Sequence, residues 1–498
     1  MSRETARKGS ALVLVLITSV VFTILIGALF MLFKMNTESQ MWARDRIQAR
    51  YTAEAGASLA VHMIMGGEDV PQGDSARIFL PEVEGSWFDL PGDDLGDVIV
   101  YVDPNDQNFQ VLDANAYEIR ALGRVTTANG YRTHCSAVAM SPENFARFAA
   151  FQHAPDLGGY YGDGYRFDGP FYANGPVCIW SASAGRSNDP LFYSITLTSD
   201  YYYNSQGTAS NPTSVPHVGD LWVEPYERHS LGAPYFEMGA EPIPFGPDEL
   251  NWQVVENAAA SGGLFLDASD VPNNCRVILR QDSLIVKKSA GEAPISYCLS
   301  DLSNPVVWMD NNNTDRVYIR GYAISEAQRA AEGMTQAVTI GANGTIEIMG
   351  PNLYQNPDPE DPDNRVLLGL MSVYGDLIIA DQPAAPDAWG VGWQIVTENY
   401  SGAALEFDGV LLALDGDIWA QTPTQPTPGV DFVIMGGYIL LAEGWTSTPT
   451  SGYTLQIWYD PRLMTMHPPF FPQTGDWTTI YWEDNADYDE HNIWMNWY

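Results

Sequence analysis

Lysine occurs only four times in the 498 residues, at Lys8, Lys34, Lys287 and Lys288. Arginine and lysine together number 24 against 62 carboxylates, a formal net charge of −38. Such a chain repels phosphate backbones, which argues against a general grip on nucleic acid. Cysteine is also scarce. Cys135, Cys178, Cys275 and Cys298 form no C-x-x-C pair, so zinc-ribbon chemistry has no ligands at the right spacing. The seven histidines are scattered, and the chain lacks G-x-S-x-G, H-E-x-x-H and G-x-x-x-x-G-K-[ST]. These absences weigh against a catalytic role and leave a membrane-anchored enzyme of unknown type without a motif.

Two readings attach to what little or much is present. Cys275 and Cys298 lie close enough in sequence to permit a disulfide in an oxidising compartment, with buried free thiols as the alternative. The carboxylate excess fits solubility outside the cell. Its sharper meaning is calcium, because hard cations need six to eight oxygen ligands. Asp484, Asp487, Asp489 and Glu490 cluster near the C-terminus, and "DNNNTD", 310–315, is a second oxygen-rich loop. Neither matches the EF-hand spacing, and solvated turns are the competing reading. No other cofactor is indicated.

Charge is missing altogether from Gly9 to Phe33. Ser10 to Phe33 would span about 36 Å as a helix at ~1.5 Å per residue, enough for a bilayer. The apolar core of a cleaved secretory signal is shorter, ~7–15 residues, and no A-x-A-like site follows here. Arg3, Arg7 and Lys8 precede the run, which holds the N-terminus in the cytoplasm and sends the rest outward. The next stretch contains no proline until Pro71. Ile47, Tyr51, Ala55 and Leu59 recur every four residues as one helical stripe among charged neighbours. A helix from about Ser10 to Met65 is expected, ended by Gly66–Gly67.

A basic leader ending in glycine, a small residue, an apolar run and then "YTAEAGASLAVH" together resemble the N-terminus of type IV pilins, most closely the PilX-type and K-type minor pilins. The resemblance implies that a prepilin peptidase cuts between Gly9 and Ser10. It also implies that the retained helix anchors the subunit in the inner membrane and packs against other pilins. Family members usually carry glutamate at the fifth mature position, where this chain has Leu14. That glutamate pairs with the terminal amine of a neighbouring subunit, so its loss implies a tip or initiating subunit. An ordinary single-pass anchor explains the apolar run but not the Gly9–Ser10 junction.

Glycine (44), proline (33) and aromatics (12%) are plentiful, which favours short strands and many turns. "DVIVYVD", "AYEIRALGRVTT" and "YRTHCSAVAM" read as an antiparallel meander, with Asn129–Gly130 as a hairpin signal. From about residue 149 short glycine-punctuated strands follow, with Gly344, Gly375, Gly416 and Gly437 marking successive units. They predict a β-solenoid, with a sandwich as the rival. Asp248 to Ser261 reads as a helix that caps or buttresses the stack. "DGPFYANGPVCI", "VTIGANGTIEIMGPNLY", "LLGLMSVYGDLII" and "YDPRLMTMHPPFFP" resemble ComZ-like minor pilins of transformable bacteria, which implies a solenoid inserted into a pilin head.

The expected class is therefore mainly β with one long N-terminal helix, a pilin-like α+β head extended by an inserted solenoid. The expected divisions are a leader (1–9), the helix (10–65), the head sheet (66–148), the solenoid (149–463) and a C-terminal return (464–498). The expected role is a minor pilin at the tip of a filament. A tip adhesin or uptake receptor for glycan, cell surface or DNA is the alternative. "GGYYGDGYRF" and "DYYYN" are the aromatic loops that favour a glycan, and Trp477, Trp482, Trp494 and Trp497 are read as packing against the head.

Overall fold

The computed structural model describes residues 3–65, 77–80, 87–90, 96–103, 117–127, 130–153 and 161–484, the last apart from segments of which 205–235 is the longest. The chain is mainly β, with one long apolar helix at its N-terminus. It divides into two compact units. The first comprises Met1–Val111, Asn115–Ser141 and Trp477–Tyr498, and the second is built on Pro142–Asp476.

The helix α1 (Arg3–Met65) belongs to the first unit. It begins before the expected Ser10. Its C-terminal half docks on a sheet through small residues, with Ala49, Ala53, Gly56, Ala57 and Ala60 all buried. That stripe recurs every three or four residues, one face of a helix. Small side chains bring the helix backbone down onto the sheet. A Cβ on Gly123 would lie 2.7 Å from the Ala49 carbonyl oxygen, so only glycine fits there. Of the expected stripe, Ala55 and Leu59 pack against the core of the sheet, but Ile47 and Tyr51 do not. Ile47 is 52% exposed and Tyr51 61%.

The sheet beneath α1 is antiparallel in the order Arg77–Leu80, Asp97–Asp103, Tyr117–Thr127, Gly130–Asn144 and Gln473–Asp484. The central hairpin closes with Thr127 facing Gly130, whose φ of +116° suits glycine. Val98, Val100, Val102, Ile119, Ala121, Val138 and Met140 form its core with Ala57, Ala60 and Ile64 of the helix.

The second unit is a parallel β-solenoid. One ladder runs through ten strands: Leu264–Asp267, Val306–Asp310, Val338–Ala342, Leu368–Ser372, Ala404–Ala420, Val430–Glu443, Ala150–Gln152, Phe171–Ala173, Thr196–Thr198 and Phe236–Met238. Its spatial order is not its chain order. The chain enters near the middle at Ala150, winds outward to Phe236–Met238, crosses to the opposite end at Leu264, and winds back until Tyr438 lies against Ala150. Nine steps of about 4.8 Å separate the two ends, roughly 43 Å. A second face runs through Cys275–Arg280, Arg316–Gly321, Thr345–Ile348 and Leu377–Ile379. The end of this face is extended by the antiparallel strands Ser283–Lys287 and Ile295–Cys298.

Alternation sends Val307, Ile340, Leu370, Leu411 and Tyr438 into the interior core. The opposite side of the same strands is also apolar, with Trp308, Met371, Leu412, Ile439 and Phe151. The return crossing covers it. Ile243, Phe245, Leu250 and Trp252 lie on it, followed by α2 (Gln253–Gly262), which buries Val255, Ala258 and Ala259. Trp252 stacks on Trp308 with centroids 5.5 Å apart. Gly341 leaves room for Trp308, since a Cβ there would lie 2.6 Å from the indole. The helix expected at Asp248 to Ser261 thus flanks the stack. Gly344, Gly375 and Gly416 superpose at one corner, each backed closely by the next turn of backbone. Gly437 stands apart from that corner, in a strand facing Val410.

Candidate functional site

Among the described residues, most of the exposed large hydrophobic side chains lie in the apolar half of α1. Every residue from Leu14 to Lys34 is exposed, including Phe22, Phe30, Leu32 and Phe33. By length and composition this is a helix able to cross a membrane. Its threonine hydroxyls are spent internally. The Thr18 hydroxyl donates to the Leu14 carbonyl (2.8 Å), Thr23 to Ser19 (2.9 Å) and Thr37 to Phe33 (2.9 Å). Such back-bonding removes the cost of carrying a hydroxyl into hydrocarbon. Leu14 is 66% exposed, and no acidic side chain lies between Leu14 and Phe33. The backbone at Gly9 and Ser10 is already helical.

The Cys275–Cys298 bridge is not formed, and both thiols are free. Topology explains this. Cys275 opens its strand, whereas Cys298 faces Ser283, which in turn faces Arg280 at the far end of that strand. Five residues at ~3.3 Å separate the two ends, about 17 Å, beyond the Cα separation a disulfide allows. Burial pushes the Cys275 thiol up to about 12. The Cys298 thiol lies 3.1 Å from the Ser300 hydroxyl.

Of the C-terminal carboxylates, Asp484 ends the strand Gln473–Asp484, while Asp487, Asp489 and Glu490 lie outside the described residues. No group of three His, Cys, Asp or Glu side chains able to hold a metal occurs among the described residues. The 310–315 loop is a corner of the solenoid, and its oxygens are engaged between turns. Asn311 accepts from the Gly344 amide (3.0 Å), and Asp310 accepts from the Asn343 side chain (2.6 Å).

The aromatic loops divide. Tyr161 and Tyr165 are buried with Phe167 and Phe171 in the solenoid core, and the Tyr161 hydroxyl donates to Gln152 (2.6 Å). They are packing residues, not an adhesive surface. In "DYYYN", Tyr202–Asn204 pairs in parallel with Val177–Ile179. Trp477 packs against the first unit's core, and Trp494 and Trp497 lie outside the described residues.

Sequence reasoning missed a buried charge network at the start of the solenoid strand Ala404–Ala420. Arg329 of α3 (Glu326–Glu332) pairs with Glu406 and, at 3.5 Å, with Asp408. The Tyr354 amide donates to Asp408 (2.6 Å). Nearby, buried Arg462 holds Asp460 through two atoms of its guanidinium. Burial raises the Asp408 carboxyl to about 8, and the neighbouring Glu406 charge adds to the rise. Arg329 and the Tyr354 amide offset only part of it. One guanidinium cannot support two carboxylates in so dry a site. The sequence signal was Glu406 and Asp408 standing among apolar residues at the start of the strand Ala404–Ala420.

No known family model and no curated protein matches this chain. Among solved structures, the competence-associated pilin ComZ from Thermus thermophilus aligns at 10% sequence identity with a TM-score of 0.30, over 89% of this chain and 98% of that one.

Proposed function

We propose that this chain is a pilin-like subunit of a type IV filament system, anchored in the inner membrane by α1 and carrying its β-rich head on the outer side. One observation carries the reading. A single helix joins an apolar, wholly exposed half to a half docked on a small antiparallel sheet by an alanine and glycine face. The exposed half needs either lipid or other helices around it. A filament supplies both in succession, first as membrane and then as a core of neighbouring pilin helices. The Arg7–Lys8–Gly9 leader supports removal of residues 1–9 by a prepilin peptidase. Leu14 supports a place at the tip, where no subunit above requires a glutamate partner. There the subunit would help to start assembly.

The mature N-terminus tests this. In a host with the peptidase, mass spectrometry should find a chain beginning at Ser10. Gly9→Leu should leave the precursor uncut and heavier by its nine-residue leader. A mature mass unchanged by Gly9→Leu would overturn the reading. Adhesion at the tip is a compatible second role. The net charge of −38 disfavours DNA as its ligand.

A further inference from the structure

A cleft of about 400 Å³ opens on the solenoid where the chain turns into three successive strands of the first ladder. Its volume lies in the range of small-ligand sites, about 300–1,000 Å³. Pro305, Met334 and Val366 give it an aliphatic floor, and Thr335, Gln336, Gln355 and Arg365 stand around it. The wall is braced from behind. The Asn364 side chain donates to the carbonyls of Asn356 (2.9 Å) and Asp358 (2.8 Å), while the Asn364 backbone carbonyl accepts from Arg462 (3.0 Å). The Gln355 amide nitrogen donates to the Ala330 carbonyl (2.7 Å), which leaves its oxygen unspent.

The groups that face the opening are unspent as well. Among the described residues, the side chains of Thr335, Gln336 and Arg365 make no hydrogen bond or ion pair. For Arg365 this is notable in a chain where carboxylates outnumber cations 62 to 24. Asp358 and Asp361 are close in sequence, yet neither pairs with it, and Asp361 accepts from Asn356 instead (2.8 Å). The cleft therefore offers one unpaired cation, hydroxyl and carboxamide groups, and a hydrocarbon floor.

We infer that this cleft binds a saccharide bearing a single carboxylate, of the uronic-acid class. A guanidinium matches one carboxylate through two parallel hydrogen bonds. Carboxamides and a hydroxyl match the neighbouring ring hydroxyls, and the C–H face of the ring covers Pro305 and Val366. A polyanion does not fit, because one guanidinium cannot offset the repulsion of the whole molecule. The inference goes beyond the filament reading and does not depend on it.

Titration calorimetry on the full chain in detergent micelles tests it, with methyl galacturonoside as probe and methyl galactoside as its uncharged control. The galacturonoside should bind, and Arg365→Gln should weaken it about tenfold or more, the worth of one charge-assisted hydrogen bond. The galactoside should bind more weakly and be indifferent to Arg365→Gln. Gln336→Ala should weaken both sugars. Arg365 is exposed, so its variant should melt like the native chain. No heat with methyl galacturonoside, equal affinity in Arg365→Gln, or displacement by acetate at matching concentration would each overturn the inference. Processing at Gly9 is read by mass and is blind to all three results.

Discussion

Asp408 sits 1% exposed beside Glu406, and both look to the one guanidinium of Arg329. In the unfolded chain its carboxyl titrates near 3.8, and in the fold it is raised to about 8. Between those values the folded protein holds a proton that the unfolded chain has released. The stabilisation is complete below about pH 4 and is lost as pH rises toward 8, at up to about 1.4 kcal/mol per pH unit. Asp408→Asn keeps a neutral side chain that can still accept from the Tyr354 amide. Thermal melts from pH 5 to 8 should show native stability falling with pH and the variant falling less, by about one proton's worth. Parallel curves for the two would show that Asp408 is ionised throughout. The cysteines teach a related lesson. Their spacing permitted a bridge, but a disulfide is decided by where strands place two Cβ atoms, and that information lies in the pairing.

At the scale of elements, α1 was largely legible. Its apolar run, lack of proline and length are local properties, and so are the alternating strands and the Asn129–Gly130 turn of the head sheet. The docked face was only half legible: Ala55 and Leu59 of the periodic stripe do pack, but in place of Ile47 and Tyr51 close packing selected the small residues Ala49, Ala53 and Gly56. A helix with alanine on one face and large side chains on the other is ready to pack on both. Gly123 makes the docked side testable. Gly123→Val would push a branched side chain into the backbone of α1 at Ala49 and Ala53. It should cost about 1–3 kcal/mol, read by denaturant unfolding of the full chain. Native-like unfolding would mean that the helix does not rest there. The cleft beside Arg365 was invisible in sequence, since its groups come from three separate turns.

At the scale of the whole molecule, charge is the simplest constraint. With a net charge of −38, the chain should show no salt-dependent retention on immobilised duplex DNA. Retention that weakens steeply with salt would mean that a local group of arginines outweighs the net charge. The strands and glycine corners of the solenoid could be read locally, but their winding order could not. Ala150 and Tyr438 come from opposite ends of the second unit's chain, and nothing near either residue announces the other.

That winding has a mechanical consequence. The two ends of the second unit lie together: the Phe145 amide donates to Pro472, and Thr474 donates to Glu143 (3.0 Å). A pull applied to this unit through its two chain connections would enter and leave at one seam. The outer turns on either side would hang free of the load. The solenoid's turns thus add surface without lying in the path of that force.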